Sequence, residues 1–199
     1  MIGIGKAAVV AACIVIAVSA RGDARSARAP ATFVGWTVIP LRNGANEIDI
    51  DGDRRQDMVF LAWRDNANAH GYDLATFYRH TTATDLPWEL VPFFNEKART
   101  EDSLRTTWGA DCQLRGIAIV RRTASPGEPI TVAVGEREFG HSFADSASVT
   151  FVVYKVAHNA DGSAGWPPVY FQAESTLVAH GRYCDVNDAF AEIGIRTRK

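Results

Sequence analysis

Basic excess is the first thing missing from these 199 residues: 21 lysines and arginines stand against 23 acids, a formal net charge of −2. Without surplus positive charge there is nothing to hold a phosphate backbone, and nucleic acid is excluded as a partner. Histidines are few, at positions 70, 80, 141, 158 and 180, with no H-x-H or HExxH spacing, so a zinc enzyme is not indicated. Cysteines are fewer still: Cys13, Cys112 and Cys184. Internal repeats and long low-complexity tracts are also absent. What remains, 47% hydrophobic and 22% charged, is an ordinary globular mixture long enough for one sizeable core.

The N-terminus has the layout of a secretory signal peptide over residues 1–20. MIGIGK supplies a positive start, AAVVAACIVIAV an apolar stretch, and Val18-Ser19-Ala20 a small-residue cleavage site. The apolar run is too short for a membrane anchor, so no membrane attachment is expected after cleavage. A competing reading makes Cys13 a lipidation site, but the apolar run continues past it where a lipoprotein turns polar. Residues 21–32, RGDARSARAPAT, read as a disordered leader, and 33–199 as a single β-rich domain. Export to the periplasm follows. Cleavage leaves Cys112 and Cys184, which in an oxidising compartment are most simply one disulfide.

From Phe33 onward the pattern is mainly β. FVGWTVI, MVFLAW, LATFY, GIAIV, ITVAV, VTFVVYKV and VYFQA are short runs rich in β-branched and aromatic residues. Turn signals fall at Asn43-Gly44, Pro126-Gly127 and Asp161-Gly162. The expected fold is an antiparallel sandwich or curved sheet with a C-terminal helix. That helix is DVNDAFAEIG, capped by Asp185, with Val186, Ala189, Phe190 and Ile193 forming one stripe and Gly194 as its stop. The polar segment 95–108 is read as a second, short helix.

The stretch Asp49 to Asp57, DIDGDRRQD, crowds four carboxylates into nine residues. Oxygens at alternate positions of a tight loop suit a hard cation such as calcium, in a structural role. The ligand set would be Asp49, Asp51, Asp53, the backbone carbonyl of Arg55, and Asp57, with Gly52 allowing the bend. It is not an EF-hand, because Phe60 stands where a bidentate glutamate belongs. The alternatives are another ion, or an acidic turn whose aspartates bond the local backbone while Arg54 and Arg55 offset the charge.

Catalytic signals fail. Gly140-His141-Ser142-Phe143-Ala144 resembles an esterase elbow, but a strand pattern follows where a helix is required. No enzyme is expected. The cluster RDNANAHGYD, between two strand runs, offers Arg64, Asn66, Asn68 and His70 as donors to an anionic ligand.

NGANEIDIDGDRRQDMVFLAWRDNANAHGYDLATFY is similar to the central signature of the CarG-like carbapenem intrinsic-resistance proteins. FGHSFADSASVTFVVYKV, HNADGSAGWPPVYF and YCDVNDAF resemble further family segments in the same order, so the likeness runs from Asn43 to Phe190. It implies a periplasmic β-rich homodimer that protects its cell from carbapenems without hydrolysing them. Its partner would be a β-lactam or a cell-envelope protein. Arg54 departs from the pattern, which leads one to expect glycine there. The competing function is a calcium-stabilised exported module that binds proteins or glycans.

Overall fold

A computed structural model describes residues 33–95 and 100–196. The expected signal peptide, leader and Cys13 lie outside the described residues. The strands are β1 (Trp36–Val38), β2 (Gly44–Ile48), β3 (Asp57–Arg64), β4 (Tyr72–His80), β5 (Trp88–Leu90), β6 (Phe93–Phe94) and β7 (Thr100–Glu101). They continue with β8 (Leu104–Arg105), β9 (Thr107–Trp108), β10 (Gln113–Arg122), β11 (Thr131–Arg137), β12 (Val149–His158) and β13 (Val169–Val178). The seven strand runs expected from sequence each coincide with one of these. Among the described residues no helix is long and apolar enough to cross a membrane.

Two sheets form. The larger runs β1-β10-β11-β12-β13-β6-β7, with β9 beside β10; the smaller runs β2-β3-β4-β5, with β8 beside β4. Pairing is antiparallel except between β13 and β6, which run parallel. Alternation decides which face meets the other sheet. In β3 and β4, Val59, Ala75 and Phe77 point inward, against Val132, Tyr154 and Phe171 of the larger sheet. Phe93 stacks on Phe171 and meets Phe77 edge-on, closing this core.

A second core lies on the opposite face of the larger sheet. There the expected helix is one α-helical turn, α1 (Val186–Ala189), continued by a 3₁₀ turn over Phe190–Ile193. Asp185 caps it by accepting from the Asn187 amide at 2.8 Å, and Gly194 ends it at φ 84°. Val186, Ala189, Phe190 and Ile193 are all buried, packing on Ala118, Ala133 and Phe151. The helix can come this close because the strands beneath carry Gly116 and Gly135. A Cβ at either would stand 2.9 or 2.8 Å from Val186.

The expected second helix over 95–108 is not there: β7, β8 and β9 occupy 100–108, and 96–99 lie outside the described residues. Leu104 is fully buried against β4, and Thr106 is locked to Asp73 through both backbone and hydroxyl. Tertiary pairing overrode a polar composition that suggested helix.

Candidate functional site

The aspartate loop joins β2 to β3 and is folded by its own carboxylates. Asp49 accepts from the amides of Gly52 and Arg54, and Asp51 from that of Asp53. Gly52 bends at φ 81°, and a Cβ there would lie 2.8 Å from the Gly127 carbonyl of the β10–β11 turn. The loop is thus pressed on the larger sheet, where the Arg121 guanidinium donates to the Asp49 carbonyl. Arg54, the residue in place of an expected glycine, is held at φ 70°, in the left-handed region.

The four aspartates divide into two kinds. Asp49, Asp51 and Asp57 bring one oxygen each within 4.8 Å of one another. Asp53 turns instead to Arg55, which it meets at 2.6 Å, and Arg55 also donates its amide to it. Burial works to raise the Asp53 carboxyl, but the hydrogen bonds and charge of Arg55 outweigh it and hold it below the usual carboxylate range. Asp57 is only 2% exposed and ties two strands, accepting from the Ile50 amide at 2.9 Å and the His80 amide at 2.8 Å. Burial pushes its carboxyl up against the pull of those two amides, and the charges of Asp51 and Asp53 add to the rise. Three clustered carboxylate oxygens are a donor set that fits a hard divalent cation, and that ion would relieve the Asp57 charge. The bonds of Arg55 to Asp53 use its amide and guanidinium and do not involve its carbonyl oxygen.

The second candidate is the β3–β4 connection. Arg64 ends β3 and is exposed. Asn66 donates to the His70 carbonyl, and Asn68 accepts from the His70 amide, so both amides spend contacts on shaping the loop. Asp65 adds a bond from the Ala67 amide, and Ala67 sits at φ 55°. His70 is the residue this scaffold presents. Its Nδ1 lies 3.1 Å from the Trp108 carbonyl, which makes Nδ1 the donor in that bond. Its ring lies over Phe143, centroids 4.6 Å apart.

Phe143 comes from the GHSFA segment, which is an exposed loop between β11 and β12 rather than a strand-to-helix elbow. Ser142 there donates to Asp145 at 2.9 Å, and Asp145 also accepts from the His141 and Ser142 amides. Beneath the loop Arg137 is almost fully buried, donating to the carbonyls of Phe143 and Asp145. The disulfide Cys112–Cys184, with Cα atoms 5.6 Å apart, fastens this corner from behind. Three chain segments therefore converge: 65–71, 105–112 and 139–145.

Between them lies a cleft of about 150 Å³ lined by Asn66, His70, Tyr72, Arg105, Trp108 and Phe143. The Arg105 guanidinium lies 5.1 Å above the Tyr72 ring. Thr106 and Trp108 also wall a larger groove of about 1340 Å³, floored by Leu61, Ala75, Ile117 and Ile119. Of the four residues expected at this site from sequence, Asn66 and His70 reach the cleft, whereas Arg64 and Asn68 do not line it. Arg105, Trp108 and Phe143 were not expected, because 105–108 read as helix and Phe143 as part of a failed elbow.

The family described as carbapenem resistance protein CarG-like matches residues 41–192. The chain belongs to this family. The crystal structure of CarG has the same fold, with a TM-score of 0.65 at 21% identity, covering 78% of this chain and 94% of that one. No curated protein matches the sequence. Three of the segments that carry the family likeness, RDNANAH, FGHSFADS and YCDV, are distant in sequence and meet at the corner that holds His70, Phe143 and the disulfide, whereas HNADGSAGWPPVYF lies elsewhere, with Trp166 on Phe94.

Proposed function

We propose that this chain is an exported protein that protects its cell from carbapenems without hydrolysing them, and that the His70 corner is its point of contact. Family membership supports the antibiotic, and the disulfide fits an oxidising compartment such as the periplasm. The observation that carries the contact site is the convergence of three family segments on a cleft with a half-exposed aromatic wall and one cation. Arg105 supplies the positive charge that a carbapenem carboxylate needs, and Phe143 and Tyr72 supply flat apolar surface. At about 150 Å³ the cleft is below the roughly 300–1,000 Å³ of drug-sized pockets, so it would hold the carboxylate end. The adjoining groove has room for the bulk. Ser142 donates to Asp145 rather than to a histidine. That hydrogen bond, with those of the His141 and Ser142 amides, holds the Asp145 carboxyl below its usual range, so the base beside the serine is a weak one, which supports protection without turnover.

The experiment is a tolerance assay on cells exporting the chain, with imipenem in the medium followed in parallel. Survival with undiminished drug is the expected result, and it should be lost in His70→Ala with Arg105→Gln while the melting temperature stays the same. Disappearance of the drug would make the protein a hydrolase. Unchanged tolerance in a folded double variant would remove the corner from the account.

Two further parts belong to this reading. Calcium sits between Asp49, Asp51 and Asp57 and stiffens the β2–β3 hairpin; the oxygen donor set supports it. The protein is a homodimer through the outer face of the smaller sheet. There Met58, Phe60, Ala62, Leu74, Tyr78 and Leu90 share one side, and Phe60 is 46% exposed.

A further inference from the structure

The side of the larger sheet that carries α1 is only half covered. Helix and 3₁₀ turn lie over Phe151 and Val153, but they do not reach Lys155 and Glu174 further along β12 and β13, which are exposed. Lys155 pairs with Gln172, and Gln172 with Phe94, so these three side chains form a row across β12, β13 and β6. Val153 pairs with Ser175 while Tyr154 pairs with Ala173, which makes Glu174 the extra residue of a β-bulge. Its carboxylate meets Lys155 Nζ at 2.7 Å.

Above this row stands an aromatic stack. Trp166 lies on Phe94 with centroids 4.7 Å apart and planes at 21°, and Tyr170 meets Phe94 at 5.2 Å and Trp166 at 5.5 Å. The loop that delivers Trp166, residues 159–168, is built around Asn159. That side chain donates to the Ser163 carbonyl (3.0 Å) and the Trp166 carbonyl (3.2 Å) and accepts from the Ser163 amide (2.9 Å). The Asn159 main-chain amide closes the loop on Pro168. Every one of these bonds fixes the backbone that carries the indole; none uses the indole itself. Trp166 remains 44% exposed, and among the described residues neither its N–H nor the Tyr170 hydroxyl has a hydrogen-bond partner.

A rigidly held flat ring, backed by a second ring and rimmed by an indole N–H, a phenol and the Gln172 amide, whose NH₂ makes one long contact of 3.4 Å to the Ala173 carbonyl, matches one ligand chemistry closely. A pyranose with equatorial substituents presents C–H bonds from each face and hydroxyls around its edge. The C–H groups favour the negative face of an aromatic ring, and the hydroxyls need partners such as an indole N–H, a phenol and the Gln172 amide. Charge agrees: Lys155 and Glu174 neutralise each other, so the surface suits an uncharged polar chain rather than an anionic one. We propose that the Phe94–Trp166–Tyr170 platform binds a β-1,4-linked glycan, one pyranose on Trp166 and its hydroxyls against Tyr170 and Gln172. The site is separate from the His70 corner and does not depend on it.

Calorimetric titration and tryptophan emission on the full exported chain test this, with cellotetraose in one arm and the β-1,4-linked tetramer of N-acetylglucosamine in the other. Saturable binding of either is expected, weakened about tenfold or more in Trp166→Ala and unchanged in His70→Ala. Response to one sugar alone identifies the source as plain glucan or amino-sugar polymer. Should Trp166→Ala lower the melting temperature, Tyr170→Phe and Gln172→Ala carry the test, since each removes a rim group and leaves the rings. The proposal is overturned by no saturable binding of either tetramer at millimolar concentration. It is equally overturned by wild-type affinity in a folded Trp166→Ala, or in both rim variants.

Discussion

At position 54 an arginine occupies a backbone conformation that costs an L-residue about 1–2 kcal/mol. Glycine would remove that strain and give back roughly 0.5–1 kcal/mol through the freedom of the unfolded chain. Arg54→Gly is therefore expected to stabilise by about 0.5–1 kcal/mol in urea denaturation, and a loss of stability would mean that the arginine makes a compensating contact. Asp57 differs from its neighbours in being buried. Its two oxygens hold the Ile50 and His80 amides, so Asp57→Asn must leave one buried amide facing an NH₂ group. Such an orphan costs about 1–3 kcal/mol, with or without calcium. Asp49→Asn with Asp51→Asn should lower the melting temperature more in calcium than in chelator, where only their bonds to the loop amides are weakened. Because the Asp57 carboxyl is raised, its ionisation costs the apo fold stability: that contribution is intact below the ordinary carboxyl range and is lost as pH rises through the raised value. Protons and calcium then compete, and the calcium-dependent rise in melting temperature should shrink as pH falls below 7. A constant increment down to pH 4 would contradict this.

Strands, the helix stripe and the disulfide pair were legible in the sequence because each rests on a short, local regularity. Val186, Ala189, Phe190 and Ile193 repeat at helical spacing, and all four are buried. The 95–108 segment was misread because its pattern is set by partners elsewhere: Leu104 faces Ala75, and Thr107 faces Arg115. No local period encodes that. The corner was half legible for the same reason. The hairpin loop announced itself by composition, but Arg105 and Phe143 reach it only through tertiary folding. Arg137 is the element holding Phe143 in place, and Arg137→Met would leave the carbonyls of Phe143 and Asp145 without their donor. Limited proteolysis should then cut within 138–146, while cleavage confined to other loops would assign the guanidinium a different task. Cys112→Ser opens a 72-residue loop and is expected to destabilise by about 4 kcal/mol, read by thermal melting against the oxidised wild type.

For the molecule as a whole, two sheets and one helix turn make two cores that share a single sheet. The outer face of the smaller sheet leaves Phe60 and its neighbours uncovered, and size-exclusion with light scattering should report a dimer. Phe60→Glu would return the protein to a monomer without loss of melting cooperativity; a monomeric wild type would reassign that face. The Phe33 amide donates to the Ile193 carbonyl at 2.8 Å, so the first and last described segments are stitched together beside the helix. β1 cannot take its place before β10 exists, and the helix layer cannot shut before residue 193 arrives. Synthesis therefore has to reach residue 193 before the helix layer is complete, leaving Val120, Ala133 and Phe151 uncapped meanwhile. The same adjacency means the backbone from 33 to 196 is close to being a ring. A permuted chain in which residue 196 is joined to residue 33 by a short glycine linker, with new ends cut at Asp161-Gly162, should fold to the same sandwich.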